Sequence, residues 1–139
     1  MATVTADYQD RKRVVFHTRG REFTNVREIA ADGGPTDFSS IELLLIALGN
    51  CTLGALLNHQ LLKDEEVTRA YATLDAKMAQ FPTRVEHIDV AIELEVTDPA
   101  LMEHYASLEV DSCTCPLCNT LEGKITTSLK MNVSAAPVH

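Results

Sequence analysis

The chain holds four cysteines, Cys51, Cys113, Cys115 and Cys118, and their spacing is where chemistry is first legible. The last three form C-x-C-x-x-C, a pattern open to three chemistries. As a zinc site it offers three thiolates where a closed structural site needs four ligands, so Cys51 or a histidine must complete it. As a redox motif, Cys115-Pro116-Leu117-Cys118 has the C-x-x-C spacing but lacks the preceding strand of a βαβ unit. As a helix-start thiol, Cys115 stands just before Pro116, where free N–H groups and the helix dipole stabilise a thiolate. This third reading needs one reactive cysteine and leaves Cys113 and Cys118 as bystanders or backups. Cys51 stands apart in an apolar run, where a thiol serves either packing or chemistry.

The element that carries Cys51 dominates the sequence. Ser39 to Lys63 reads SSIELLLIALGNCTLGALLNHQLLK, free of proline and apolar on every side. As a helix rising ~1.5 Å per residue it would be about 37 Å long. A helix without a polar face belongs in the interior of a domain or an assembly, so a second subunit is expected to help bury it. Ser39 followed by Glu42 is the capping-box pattern and predicts a start near Ser40. Upstream, TVTADY reads as an edge strand, and RVVFHT with REFTNVRE as a hairpin about Arg19-Gly20. Downstream, 67–80 and 84–97 make a long hairpin around Phe81-Pro82-Thr83. In its second arm Ile88, Val90, Ile92, Leu94 and Val96 alternate as a half-buried antiparallel strand does. Asp98 caps a helix over 99–107, Cys115 caps a short helix from Pro116 that stops at Gly123, and Lys124 to Val133 closes the chain as a strand. The order predicts a single α+β domain over 1–139, with antiparallel sheets around a long buried central helix.

Composition narrows the function classes. A chain of 139 residues, 45% apolar and 23% charged, is that of an ordinary globular domain. Its net charge of -8, from 20 acidic against 12 basic residues, argues against nucleic acid as a partner. The start, MATVTADYQDRKRVVF, has no basic segment followed by an apolar run, so no signal peptide is expected. Glu42, Gly49, Asn50 and Asn58 interrupt the central helix short of the ~20 clean apolar residues of a membrane span. No membrane partner is expected, and the reading is a cytoplasmic protein with reduced cysteines.

Two motifs carry a resemblance. The run GPTDFSSIELLLIALGNCTL, from Gly34 to Leu53, and the run Cys115-Pro116-Leu117-Cys118-Asn119-Thr120-Leu121 resemble the two signatures of the OsmC/Ohr family, the osmotically inducible and organic hydroperoxide resistance proteins. The resemblance covers essentially the whole chain, least clearly its first dozen residues. It implies an intertwined homodimer with the long helices in the middle and two active sites at the subunit interface. It also implies a thiol peroxidase that reduces organic, and by extension inorganic, hydroperoxides in oxidative-stress defence. Carried over by position, Cys51 is the peroxidatic thiol and Cys115 the resolving one. A thiolate attacks the peroxide oxygen and becomes a sulfenic acid, which the second thiol condenses to a disulfide. An external dithiol restores the pair, and no bound cofactor or metal is implied.

Burial raises the pKa of a helix-borne thiol, so a cation must offset it. In the hydroperoxidase branch of the family an arginine from the N-terminal strands does this; Arg19 is the matching residue here, with Arg21 as the alternative. The glutamate that holds that arginine lies ten residues before the cysteine, a position occupied here by Ile41. Glu42 is next door, and at 100° per residue it points about 180° away from Cys51, so it serves either as a catalytic substitute or as the capping acid. The departure fits a general OsmC-like branch. Asn58, nearly on the Cys51 face, and His59 are weaker candidates for a pocket, and an exposed helix end is the preferred explanation of both. His17, His87 and His104 show no ligand spacing, and Phe23, Phe38 and Phe81 read as core or interface packing. The alternative function is a non-catalytic protein of the same fold that binds a hydrophobic molecule or zinc through the dimer cleft and thiols.

Overall fold

In the computed structural model, residues 2–10, 12–57, 67–102 and 115–135 are described. Asn58, His59, His104, Cys113 and the greater part of the helix expected over 99–107 lie outside the described residues. The chain divides into two compact units, Met1–Leu43 and Leu44–His139.

The first unit is an antiparallel meander of β1 (Thr5–Asp10), β2 (Arg13–Thr18) and β3 (Arg21–Val26), in the order β1-β2-β3. Arg19 and Gly20 join β2 to β3 with φ of 48° and 75°. Two consecutive positive φ values are what a two-residue turn needs to match the strand twist, and Gly20 meets that need without strain. Phe16 stacks on Phe23 at 6.1 Å between ring centroids, and Phe23 meets Phe38 at 6.2 Å. Buried Asn25 clamps the same segment: its Nδ2 donates to the Phe38 carbonyl at 3.0 Å and its Oδ1 accepts the Phe38 N–H at 3.1 Å. Phe23 and Phe38 thus pack against each other but stay 43% and 42% exposed, and Phe81, on the tip of the later hairpin, is 99% exposed, so none of the three is a core residue of the chain.

Helix α1 (Ser40–Leu57) begins where the capping box places it. The Glu42 carboxylate accepts the Ser39 N–H at 2.8 Å, and the Ser39 hydroxyl accepts the Glu42 N–H at 3.1 Å. Its buried residues, Leu48, Gly49, Thr52 and Leu56, form one stripe. A helix buried on all sides is not what this chain alone builds. Ile46 and Leu57 remain 51% and 40% exposed, because the chain covers a single face of a helix that is apolar all round. By length and composition α1, with a mean hydropathy of 1.8 over 18 residues, also meets the requirement for crossing a bilayer.

In the second unit β4 (Val67–Ala79) and β5 (Arg84–Val96) form the expected long antiparallel hairpin. Ile88, Val90, Ile92, Leu94 and Val96 are each no more than 4% exposed. Burying such a side chain contributes about 1.5–3 kcal/mol, so β5 is the principal core element of this unit. Val85 is buried out of phase because Lys77 faces His87 and Met78 faces Val85, which leaves Glu86 as a bulge. One expectation is corrected. β6 (Thr126–Ala135) pairs with β5 in parallel, from His87↔Thr126 to Val96↔Ala135, so the sheet β4-β5-β6 is mixed rather than antiparallel. The chain leaves β5 at Val96 and returns to Thr126, beside the start of β5, and such a crossover makes neighbours parallel.

The crossover opens with a 3-10 turn at Pro99–Leu101, capped by Asp98, whose carboxylate accepts the Ala100 N–H at 2.9 Å. It ends with α2 (Pro116–Leu121), capped by Cys115. Gly123, at φ 83°, follows, and β6 begins.

Candidate active site

The first turn of α2 supplies the site's donors. A helix start leaves its first N–H groups without intrahelical partners. Pro116, at the first helical position, has no N–H to orphan, so the free amides are those of Leu117 and Cys118. Each is directed at a sulfur. The Leu117 N–H donates to Cys51, and the Cys118 N–H donates to Cys115 Sγ at 3.4 Å. Cys115 Sγ also lies 3.9 Å from Thr52 Oγ1, and it is hydrogen-bonded by the thiols of Cys51 and Cys118. The structure thus brings together Cys51 and Cys115, far apart in sequence, and adds Cys118 to them.

Environment separates the two principal thiols. Cys115 is 1% exposed, while Cys51 is half-buried. Burial pushes the Cys51 thiol above its ordinary pKa; the Leu117 N–H opposes this, and the Cys115 sulfur reinforces it. Burial also pushes Cys115 up, but the Cys118 N–H, the Cys51 and Cys118 thiols and the Thr52 hydroxyl together outweigh it, leaving Cys115 below the ordinary thiol range. Of the two thiols, Cys115 is therefore the one that gives up its proton more readily.

The remaining predicted residues divide. Arg19 sits in the exposed β2–β3 turn and Arg21 is exposed at the start of β3, both in the first unit. Glu42 is engaged in the helix cap. His87 hydrogen-bonds Thr126 and Asp89 on the β5–β6 pair. Among the described residues, no group of three or more His, Cys, Asp or Glu is placed to hold a metal ion. Two participants were missed by sequence reasoning. Thr52 is fully buried beside Cys51, and a lone hydroxyl in an apolar helix was the available signal. The Leu117 amide is a backbone donor, and the proline before it marks it as free.

No protein-family model matches the chain, and no curated protein sequence does either. Solved structures do match. A hypothetical protein from Aquifex aeolicus VF5 superposes with a TM-score of 0.75 at 17% identity, over 99% of this chain and 98% of its own. An OsmC-like protein from Mycoplasma pneumoniae gives a TM-score of 0.73 at 15% identity, over 99% and 98%. The organic hydroperoxide resistance protein OhrB of Bacillus subtilis gives 0.57 at 17% identity, over 95% and 98%. Alternating β5, the thiol-bearing α1 and the Cys115-capped α2 are thus set in the fold of the OsmC-like and organic hydroperoxide resistance proteins.

Proposed function

We propose that the protein is a thiol-dependent peroxidase that reduces organic, and by extension inorganic, hydroperoxides through Cys51 and Cys115. The observation that carries this reading is the meeting of the two cysteines where Thr52, next to Cys51, lies 3.9 Å from Cys115 Sγ, one thiol half-buried and one closed to solvent, with opposite pKa shifts. Peroxide meets Cys51 because Cys51 is the more accessible. The Cys115 thiolate takes the Cys51 proton as the Cys51 sulfur attacks the distal peroxide oxygen. The O–O bond breaks, Cys51 becomes a sulfenic acid, and Cys115 returns the proton to the departing alkoxide, which leaves as an alcohol. Cys115, again a thiolate, displaces hydroxide from the sulfenic acid, forming the Cys51–Cys115 disulfide and, with a proton from solvent, water. An external dithiol then supplies two electrons and two protons.

Within this proposal the protein works in the cytoplasm as a homodimer, without a bound cofactor. The exposure of Ile46 and Leu57 on an otherwise apolar α1 supports a second copy as the missing cover. Arg19, or Arg21, is proposed as the cation that favours the negative charge on Cys51 as it gives up its proton, and Glu42 as structural through its cap. Treating the protein with one equivalent of cumene hydroperoxide tests the reading. Two thiols per chain should disappear, and Cys51→Ser should stop peroxide consumption; unchanged consumption in Cys51→Ser would overturn the assignment. One observation favours a second reading. Leu45, Ile46, Gly49, Leu53 and Leu74 line an apolar groove along α1 that suits a non-catalytic binder of a hydrophobic molecule. Retention of all thiols after peroxide would support it.

A further inference from the structure

We propose that Cys118 is a third redox thiol, which draws the disulfide away from Cys51 and presents it to the external dithiol; this rests on the peroxidase reading above. Cys115 is 1% exposed, so in a disulfide between it and Cys51 the only sulfur of the pair open to a reductant is that of Cys51, the sulfur that must be freed for peroxide. Cys118 is half-buried and lines an open cavity of about 460 Å3 with Asn119, Glu122, Ile125, Thr126 and Thr127. Pockets of roughly 300–1,000 Å3 accept small molecules, so this one has room for a small dithiol. Cys118 also touches Cys115 twice, through its N–H at 3.4 Å and through its thiol. The N-cap and third helical positions are neighbours on one turn, so the approach is built into the Cys-Pro-Leu-Cys sequence.

The exchange conserves electrons. Cys118, as a thiolate, attacks Cys115 Sγ of the Cys51–Cys115 disulfide; the Cys115–Cys118 bond forms, the older S–S bond breaks, and Cys51 leaves with the proton that Cys118 gave up. Cys51 is a favoured acceptor of that proton because burial raises its pKa. The external dithiol then attacks Cys118 from the cavity, transfers two electrons and two protons, and departs as its own disulfide. Cys51 is thereby free for peroxide before the reductant has finished.

Mass spectrometry of tryptic peptides tests this in a Cys113→Ser background, after one equivalent of cumene hydroperoxide. No Lys or Arg lies between Arg84 and Lys124, so a Cys115–Cys118 bond lies within one peptide, whereas a Cys51–Cys115 bond joins two. The expected product is the internal bond. With Cys118→Ser added, the two-peptide cross-link should accumulate instead, and its reduction by dithiothreitol should be at least tenfold slower. A stable Cys51–Cys115 cross-link in the presence of Cys118, reduced by dithiothreitol at the same rate with and without it, would overturn the relay and leave the peroxidase reading intact. Retention of every thiol after peroxide would overturn the peroxidase reading, and the relay with it.

Discussion

The two helices that meet at the site treat the same functional group in opposite ways. α1 spends 18 residues and carries Cys51 in mid-helix, where every nearby backbone N–H is already committed to the helix. α2 spends six residues and carries Cys115 at its cap, where N–H groups are free. Burial acts on both sulfurs in the same direction, so exposure to donors, not depth, decides which thiol ionises. Mid-helix Cys51 receives one borrowed amide, from Leu117 of α2; Cys115 receives an amide, a hydroxyl and two thiols. A long apolar helix is a good place to hold a sulfur, and a short helix start is a good place to charge one.

The hardest way to break that comparison is to delete each sulfur in turn. Cys51→Ser should reduce peroxide turnover by a hundredfold or more, whereas Cys115→Ser should still consume about one equivalent per chain, trap a sulfenic acid on Cys51 and then stop. The reverse pattern, one equivalent in Cys51→Ser and none in Cys115→Ser, would exchange the roles. Thiolate absorbance at 240 nm sharpens the same contrast. Because the Cys115 pKa is lowered, the first thiolate should appear below the ordinary range near 8.5 and vanish in Cys115→Ser. Of the two principal thiols that variant keeps Cys51, whose pKa is raised by burial, so its single oxidation should quicken about tenfold per pH unit through and beyond that range. A plateau below it would show that Cys51 is ionised by another group.

A smaller effect is expected from Thr52→Val, which keeps the shape of the side chain and removes the hydroxyl 3.9 Å from Cys115 Sγ. A hydrogen bond to a charged group contributes about 1.5–3 kcal/mol, and one this long contributes less, so the first thiolate pKa should rise by less than about one unit. An unmoved titration would mean that Thr52 only fills space.

Much of this was legible in sequence, for identifiable reasons. The capping box at Ser39 and Glu42, the Arg19-Gly20 turn, the alternation along β5 and the cap at Cys115 are local patterns, and each forms where its residues place it. The parallel pairing of β6 was not legible, because strand direction is set by a crossover and not by the strand's own residues. Nor was the one-sided burial of α1: an all-apolar helix states that it needs cover without stating who supplies it. Cys51 and Cys115 could be named from the family resemblance, but Thr52 and the Leu117 amide could not. Their role arises only when two helix segments meet.

The packing that brings those segments together can be loosened without touching a sulfur. At Gly49 an added Cβ would lie 3.0 Å from Leu74 Cδ1, so α1 rests directly on β4 two residues before Cys51. Alanine there sets better helix propensity, about 1 kcal/mol, against a contact that a leucine methyl can partly yield. Valine adds two further methyls that cannot share the space, and overpacking of this kind costs about 1–3 kcal/mol. Gly49→Val should therefore lower the denaturant midpoint. If α1 is displaced in the process, Cys115 loses the Cys51 thiol and the Thr52 hydroxyl, and the depressed first thiolate pKa drifts back toward that of a free thiol. A variant that lost stability but kept the thiolate titration would show that the thiol pair is held by α2 alone, and the contrast between the two helices would then rest on the cap of the shorter one.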